Sequence, residues 1–276
     1  MNEYWFYYGA LFFFFAASFC YFGYLLTKNE IIGKMGTVSS AIGLISIFIA
    51  LVMRTVISGH APFSNMYEYS NSFAFGIVAT YLFAEYRYNL KVLGAFVLPT
   101  ALIVAVSTIM LGMSLEATPL MPALQSNWLT AHVATAIIAY AAYAVSFGLA
   151  IMYFIKDSLV KAKSKSFFNQ QLPDKEWLDE VSYRFIVFAF PFMSLVIITG
   201  AIWAEFAWGR YWSWDPKETW SLITWLVYAA YLHARFTFGW KGHRAAWLAI
   251  IGFGTVIFTY YGVNILLSGL HSYGAS

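Results

Sequence analysis

The sequence predicts an all-α, polytopic membrane protein, and two features of composition indicate this class. Hydrophobic residues make up 61% of the 276 residues and charged residues only 11%, whereas soluble domains carry about 25% charged residues. The apolar residues also fall into long runs, and a helix needs about 20 mainly apolar residues to cross a bilayer. The sequence thus predicts a single membrane domain over residues 1–276, with no basic patch that indicates nucleic-acid binding.

Eight apolar runs are long enough to be predicted as membrane-spanning helices. The third and seventh runs are short, so their ends are the least well defined. The runs cover roughly residues 4–26, 35–57, 70–86, 92–111, 129–155, 186–207, 221–238 and 247–267.

The basic residues predict how these helices are oriented, because Lys and Arg concentrate in cytoplasmic loops. One alternate set of connections holds 13 of the 16 Lys and Arg residues. The other set holds only Arg54, Arg210 and Lys217. The first set is therefore predicted to be cytoplasmic, including a polar, solvated loop over residues 156–184. Both chain termini are then predicted to lie on the external face of the plasma membrane.

A tryptophan segment, residues 203–225, is predicted to lie as a loop at the external membrane surface. It contains six of the eleven tryptophans, namely Trp203, Trp208, Trp212, Trp214, Trp220 and Trp225. Interfacial anchoring is a usual role for tryptophan, but six in one short segment exceed that need. The segment is interpreted as a flat aromatic surface for a large planar ligand, and haem is the candidate.

Two histidines are predicted near the tryptophan segment on the external face. His132 lies at the outer end of the fifth run and His271 just beyond the eighth. Imidazoles from two helices can supply both axial ligands of a haem iron, provided that the helices are neighbours. The alternative is that each is a polar interfacial residue bonded to backbone.

His233 lies within the seventh run, closer to its cytoplasmic end. Ionisable residues inside a span are costly and often functional. It is interpreted either as a ligand to a second haem within the bilayer, which needs a histidine from another protein, or as a hydrogen-bonding partner of a neighbouring helix. His60 is interpreted as structuring its loop, with a role in lining the haem site as the alternative, and His243 is expected to be solvated.

The three external cations are candidates for binding haem propionates, because Arg and Lys pair with carboxylates. For Arg54 the alternative is an ion pair with Glu68 or Asp215. For Arg210 and Lys217 it is a pair at the rim with acidic neighbours. Asp215 and the following proline also resemble a helix start, so Asp215 has either a loop-shaping or a ligand-binding role.

Several other chemistries are not indicated. The single cysteine, Cys20, cannot form a redox pair within this chain. The sequence has no phosphate-binding glycine loop and no paired Cys and His pattern for zinc.

The segment Trp208–Trp225, with the sequence WGRYWSWDPKETWSLITW, resembles the WWD motif of haem-handling proteins in cytochrome c maturation. Its extension after Asp215 is similar to the CcsA/ResC branch of System II. Two further segments, 58–68 and 262–274, are similar to the same branch. The resemblance covers most of the chain from about residue 50 to the end.

The resemblance implies a haem-handling subunit that acts with a CcsB/ResB-type membrane partner. Haem b would be held in the bilayer by His233 and a partner histidine, then on the external face by His132 and His271. Trp208, Trp212, Trp214, Asp215 and Trp220 would then contact the haem. The protein would form part of a holocytochrome c synthase, a haem lyase that joins haem to the CXXCH segment of apocytochrome c. Thiol-reducing factors would be further partners.

Two other functions remain alternatives to this one. In the first, the chain is a haem exporter or carrier that only delivers haem to a separate ligation factor. In the other alternative, the tryptophans only anchor a membrane scaffold that binds no haem.

Overall fold

A computed structural model describes residues 2–117, 120–163 and 166–267, and throughout these ranges the regular structure is helical. His271 lies outside the described residues, so its predicted position is not compared below. The long helices are α1 (Glu3–Thr27), α2 (Glu30–Ser58), α3 (Met66–Tyr88), α4 (Gly94–Met110) and α5 (Asn127–Lys161). A short helix, α6 (Phe167–Gln171), precedes α7 (Lys175–Trp208), α8 (Pro216–Phe238), α9 (His243–Ile257) and α10 (Val263–Leu266).

Local sequence signals account for many of these helix boundaries. Side chains of Asn2, Asn29, Asn65, Ser126 and Asp215 cap the first free backbone N–H groups of their helices, as Asn, Ser and Asp commonly do. Several helices end at a left-handed residue, which is glycine after α2, α7 and α8. Glycine adopts this conformation without steric cost.

Helix α5 occupies the centre of the bundle. It packs against α3 and α4 on one side and against α7 and α9 on the other, with its most extensive contact on α7. Helices α1 and α2 pack together beside α4, while α8 packs between α7 and α9. The end of the bundle at which α7 ends and α8 begins is called the tryptophan end below.

The eight predicted runs all fall in long helices, and six helical stretches are long and apolar enough to cross a membrane. These six establish an integral membrane protein. The remaining two runs lie in α3 and α8, which are each 23 residues long but more polar. Glu68 and Glu85 lie in α3, and Lys217, Glu218 and Arg235 in α8, which lowers their hydropathy. The count of eight spans and the orientation of the termini stay predictions.

Two predicted loops are largely helical in the structure. Within 156–184, α5 continues to Lys161, α6 occupies Phe167–Gln171 and α7 begins at Lys175. Within 203–225, α7 runs to Trp208 and α8 begins at Pro216, so the non-helical part of the tryptophan segment is short. The difference arises because helix propensity and capping extend helices beyond the apolar runs from which the loops were predicted.

A buried ion cluster joins three elements at the tryptophan end. Arg54 of α2 contacts Glu3 of α1 at 2.7 Å and Glu68 of α3 at 3.0 Å. The exposed fractions of the Arg54 and Glu68 side chains are 2% and 0%. Glu68 also accepts hydrogen bonds from the backbone and hydroxyl of Ser64, each at 2.7 Å. The cluster therefore fixes the loop between α2 and α3.

Removing one partner of this cluster is expected to destabilise the protein strongly. In Glu68→Ala, the buried Arg54 guanidinium keeps only the Glu3 carboxylate as an ion-pair partner. Breaking a buried ion pair lowers the free energy of unfolding by about 3–5 kcal/mol. Glu30→Ala is the control, because Glu30 pairs with Lys91 but is 59% exposed. Thermal unfolding in detergent should show a large decrease in Tm for Glu68→Ala and a small one for Glu30→Ala. Equal decreases would contradict the role assigned to the cluster.

Candidate functional site

A cavity opens at the tryptophan end between α3, α5, α7 and α8. The water-accessible space within it is about 90 Å³, and the empty volume between its walls, mouth included, is about 900 Å³. Its walls are mostly aromatic and aliphatic, and its polar groups include His132, Lys217, Ser221, Tyr260 and Asn264. An apolar cavity with a few convergent polar groups is the usual form of a ligand site.

One hydrogen bond fixes the position of the His132 ring. His132 Nδ1 lies 2.9 Å from the Val196 carbonyl oxygen in α7. A carbonyl oxygen can only accept, so Nδ1 carries a proton and donates it to Val196. This arrangement is common for histidines that bind metals, because the second hydrogen bond sets tautomer and ring orientation.

Gly200 gives the His132 ring the space it needs against α7. A Cβ atom at Gly200 would lie 2.8 Å from Cε1 and 2.9 Å from Nδ1 of His132. Real Cβ contacts are essentially never this short, so any larger residue here would displace the imidazole from Val196.

Trp203, near the end of α7, packs beside the His132 ring. The indole of Trp203 lies nearly parallel to the imidazole, with an interplanar angle of 18° and centroids 6.1 Å apart. Trp203 Nε1 donates to the Ala123 carbonyl at 3.0 Å, and the Trp208 ring meets the Trp203 ring edge-on, with centroids 4.9 Å apart. Trp203 therefore links the His132 ring to the backbone that precedes α5.

The tryptophans of the loop between α7 and α8 do not form a flat surface. Trp212 and Trp214 are 5.7 Å apart and perpendicular, with an interplanar angle of 89°. Trp214 has a backbone φ of +59°, which is uncommon for a bulky residue, and its side chain is 69% exposed. The expected flat aromatic surface is thus a set of rings inclined to one another, with Trp214 directed away from the interior.

Asp215 and Glu218 shape the start of α8. Asp215 accepts from the Lys217 backbone N–H at 2.9 Å, while Glu218 accepts from the backbone N–H groups of Ser213 and Asp215. Together they form a capping box, which satisfies donors that a helix start leaves unpaired. The structure thus shows the loop-shaping role considered for Asp215, and its ligand-binding role stays a prediction.

Lys217 places a positive charge against the cavity. Its ammonium group donates to the Asn264 side-chain oxygen at 3.2 Å. Burial lowers the pKa of the Lys217 ammonium to about 8, although the nearby Asp215 carboxylate favours the charged form. Desolvation disfavours the charged form of a lysine. An anion bound beside Lys217 would favour the ammonium form and raise its pKa.

Trp220 and Trp225 lie on α8, pack against neighbouring helices and are not among the residues that line the cavity. Trp220 packs on Phe258 with ring centroids 4.1 Å apart, and Phe258 begins a π-helical turn, Phe258–Gly262. Such turns often occur at functional sites, and this one carries Tyr260 into the cavity wall. Trp225 Nε1 donates to Ser194 in α7 at 2.9 Å.

The remaining candidates are separated from the cavity or lie at its rim. Arg54 belongs to the buried ion cluster with Glu3 and Glu68, which matches its ion-pair alternative. Arg210 is exposed in the loop before α8. His60 Nδ1 lies 2.9 Å from the carbonyl oxygen of Ala61, a contact within its own loop.

The other two described histidines lie far from the tryptophan end. His233 is exposed on α8, where its ring meets Phe238 edge-on and approaches the Thr237 hydroxyl at 3.5 Å. These contacts come from its own helix. His243 is exposed at the start of α9 and packs edge-on against Phe154.

Three residues that shape the cavity were not among those predicted from the sequence. Gly200 admits the His132 ring, Asn264 binds Lys217, and Ser221 lines the wall one turn beyond Lys217. Asn264 lies in the segment 262–274 that carries part of the family resemblance. Nothing in the local sequence marks Gly200, because its role depends on the packing of α5 against α7.

Comparisons with known proteins agree with this description. The sequence model of the cytochrome c assembly protein family matches residues 4–271. The cytochrome c biogenesis protein CcsA of Guillardia theta is 43% identical over 272 residues, covering 91% of this chain and 89% of that protein. CcsA of Gloeobacter violaceus is 38% identical over 298 residues, covering 90% and 88% respectively.

Among solved structures, the cytochrome c haem lyase CcmF has a similar fold. The TM-score is 0.66, and the alignment covers 94% of this chain and 47% of that one. Because sequence identity is 14%, this likeness concerns the fold.

The fold and its cavity define a membrane helix bundle with an aromatic, histidine-containing site at one end. The sequence matches then specify the family: this chain belongs to the cytochrome c assembly proteins, and its resemblance to the CcsA branch is confirmed.

A methyl group added at Gly200 is expected to disturb the cavity and lower stability. Gly200→Ala should displace the His132 ring, and overpacking of this kind costs about 1–3 kcal/mol. Gly254→Ala in α9 is the matched control, because a Cβ there meets no atom within 4 Å and alanine favours a helix. Thermal unfolding in detergent should separate the two. An unchanged Tm in Gly200→Ala would show that His132 does not depend on the close approach to α7.

Proposed function

We propose that this chain is the haem-handling subunit of a System II cytochrome c synthetase. It carries haem b to the external face of the plasma membrane and presents it for thioether attachment to the CXXCH segment of apocytochrome c. The single observation that carries this proposal is the His132 imidazole in the cavity wall, oriented by the Val196 carbonyl and packed beside Trp203.

The residues around the cavity suit haem in their chemistry. A neutral imidazole is a common axial ligand of haem iron, and aromatic side chains favour contact with a planar apolar ring. Lys217 offers a cation that is bound by the neutral amide of Asn264, which suits a propionate. His271 is proposed as the second external ligand, and only the family resemblance supports this assignment.

The water-accessible space of the cavity, about 90 Å³, is too small for a porphyrin ring. Haem binding on the external face is therefore proposed to include a widening of the cavity. Trp212 and Trp214 lie in the loop before α8, and a shift of this loop would change the cavity mouth without breaking a long helix.

A second haem position is proposed at His233, within the bilayer. The His233 ring is exposed on α8 and makes its contacts within its own helix, so its free side faces away from the bundle. An exposed imidazole on a membrane helix can be completed by a ligand from another protein. This supports a CcsB/ResB-type partner that supplies the second histidine.

His132→Gly is expected to lose the external haem site. The visible spectrum of the reduced, purified protein should show low-spin bis-histidine haem in the wild type, and haem affinity should fall at least about tenfold in the variant, since even indirect changes at metal sites have this effect. Added imidazole should restore the spectrum, because it can occupy the space of the missing ring.

His243→Gly is the control for this experiment, because His243 is exposed at the other end of the bundle. It should keep the wild-type spectrum. An unchanged spectrum in His132→Gly, or a loss that imidazole does not reverse, would remove His132 from the ligand set.

Lys217 is expected to make haem affinity depend on pH. Because the pKa of free Lys217 is about 8, the ammonium form should dominate at neutral pH and be lost as pH rises through about 8. A propionate binds the charged form, so affinity should be steady near neutrality and then fall, by at most about tenfold per pH unit for one proton.

Spectral titration of haem into the stripped protein tests this dependence. Lys217→Met should bind haem more weakly at neutral pH and lack the decrease above about pH 8. Lys241→Met, at an exposed residue on the opposite side of the bundle, should behave as the wild type. The same pH profile in Lys217→Met would assign the effect to another group.

A further inference from the structure

A second, larger space lies on the side of the bundle, away from the tryptophan end. It is a groove between α3, α5 and α7, with a water-accessible volume of about 620 Å³. Small side chains form its floor, and aromatic rings form its walls and rim. The lining includes Phe75, Gly76, Ala79, Thr80, Phe83, Tyr88, Ile137, Ile138, Ala141, Arg184, Phe185 and Phe188.

One side chain is shared by this groove and the site cavity. Ile137 of α5 lines both spaces. A Cβ atom at Gly76 of α3 would come within 2.6 Å of Ile137 Cγ2. The isoleucine is thus packed directly on the backbone of α3, in a wall that the two spaces share.

The groove ends at positive charge on the side opposite the tryptophan end. Arg184 lines it there beside Tyr88, and Arg87 lies over the Tyr88 ring at 5.7 Å. Arg184 pairs with Glu180 at 3.1 Å, and its side chain is 56% exposed. Exposed ion pairs of this kind are weak, so Arg184 can exchange Glu180 for another carboxylate.

We propose that this groove is the membrane-side entrance through which haem reaches the site cavity, with Ile137 as the partition between them. The inference rests on the proposed function and adds a route to it. The outward-facing rim includes Phe83 and Phe188, both exposed apolar residues, so a ligand dissolved in lipid can enter without crossing water.

Three properties of the groove identify haem as the occupant. Aromatic walls favour a flat ring, and the Arg184 guanidinium at one end of the groove suits a carboxylate at the edge of haem. Its water-accessible volume is about 620 Å³ against about 90 Å³ for the cavity. The shared Ile137 also places the groove directly against the cavity wall, which a docking surface for lipid or a partner helix does not require.

Filling the groove should slow haem arrival from the bilayer but not from water. Stripped protein is reconstituted into phospholipid vesicles that contain haem b, and the appearance of the bis-histidine spectrum is followed over time. Ala79→Phe and Thr80→Phe both place a ring in the groove, and the rate should fall roughly fivefold or more because an overpacked groove excludes the porphyrin. Ile137→Ala should raise the rate by widening the connection.

The same variants are then loaded from the aqueous side with albumin-bound haem. Ala79→Phe and Thr80→Phe should load at the wild-type rate, which shows that they are folded and that the cavity is intact. Ala16→Phe is the matched control, because Ala16 is a half-buried alanine of α1 that does not line the groove.

Each result bears on the inference in a defined way. Wild-type rates from haem-containing vesicles in both filled variants would overturn the route and assign the groove to lipid or to a protein partner. Equal slowing from both haem sources would also overturn it, because the defect would then lie in the cavity. A wild-type protein that takes up no haem from either source would refute the proposed function itself.

Discussion

The packing of α5 against α7 is the constraint on which the rest of this structure depends. It brings the His132 ring to the Val196 carbonyl at 2.9 Å, and Gly200 makes that approach sterically feasible. The contact sets the tautomer of the histidine and buries Trp203 beside it. A site built on two long helices is held more precisely than one built on loops, and here the loop contributes only to the mouth.

Buried polar groups then position the other helices around this pair. The Arg54 cluster ties α1, α2 and α3 together at the tryptophan end, and Arg235 ties α8 to Asp179 of α7 at the opposite end with a contact of 2.7 Å. Helix association in membranes lacks the hydrophobic driving force available in water, so close packing and polar contacts carry more of the specificity. The two ion pairs thus set the positions of the helices that complete the cavity.

The sequence predicted the helical class, the positions of the apolar runs and the grouping of His132 with the tryptophans, because these follow from composition and periodicity. It gave the Arg54–Glu68 ion pair only as one alternative, and it did not predict that Glu3 joins this cluster or that Gly200 faces His132, because both depend on which helices are neighbours. The flat aromatic surface was also not found, since ring orientations such as that between Trp212 and Trp214 are set by the backbone of a short loop. His271 lies outside the described residues, so the bis-histidine pair stays a prediction.

The two spaces in this bundle differ in a way that bears on function. The cavity contains the groups suited to hold haem but has little room, whereas the groove has room but lacks a histidine among its lining residues. A protein that handles a reactive ligand would benefit from separating these properties, because a narrow resting cavity limits the access of solvent and oxidants. Under the proposed function, haem would supply the binding free energy that widens the cavity, through iron ligation at His132 and charge pairing at Lys217. Haem binding and cavity widening would then be coupled, since a ligand shifts a conformational equilibrium only by its differential affinity for the two states.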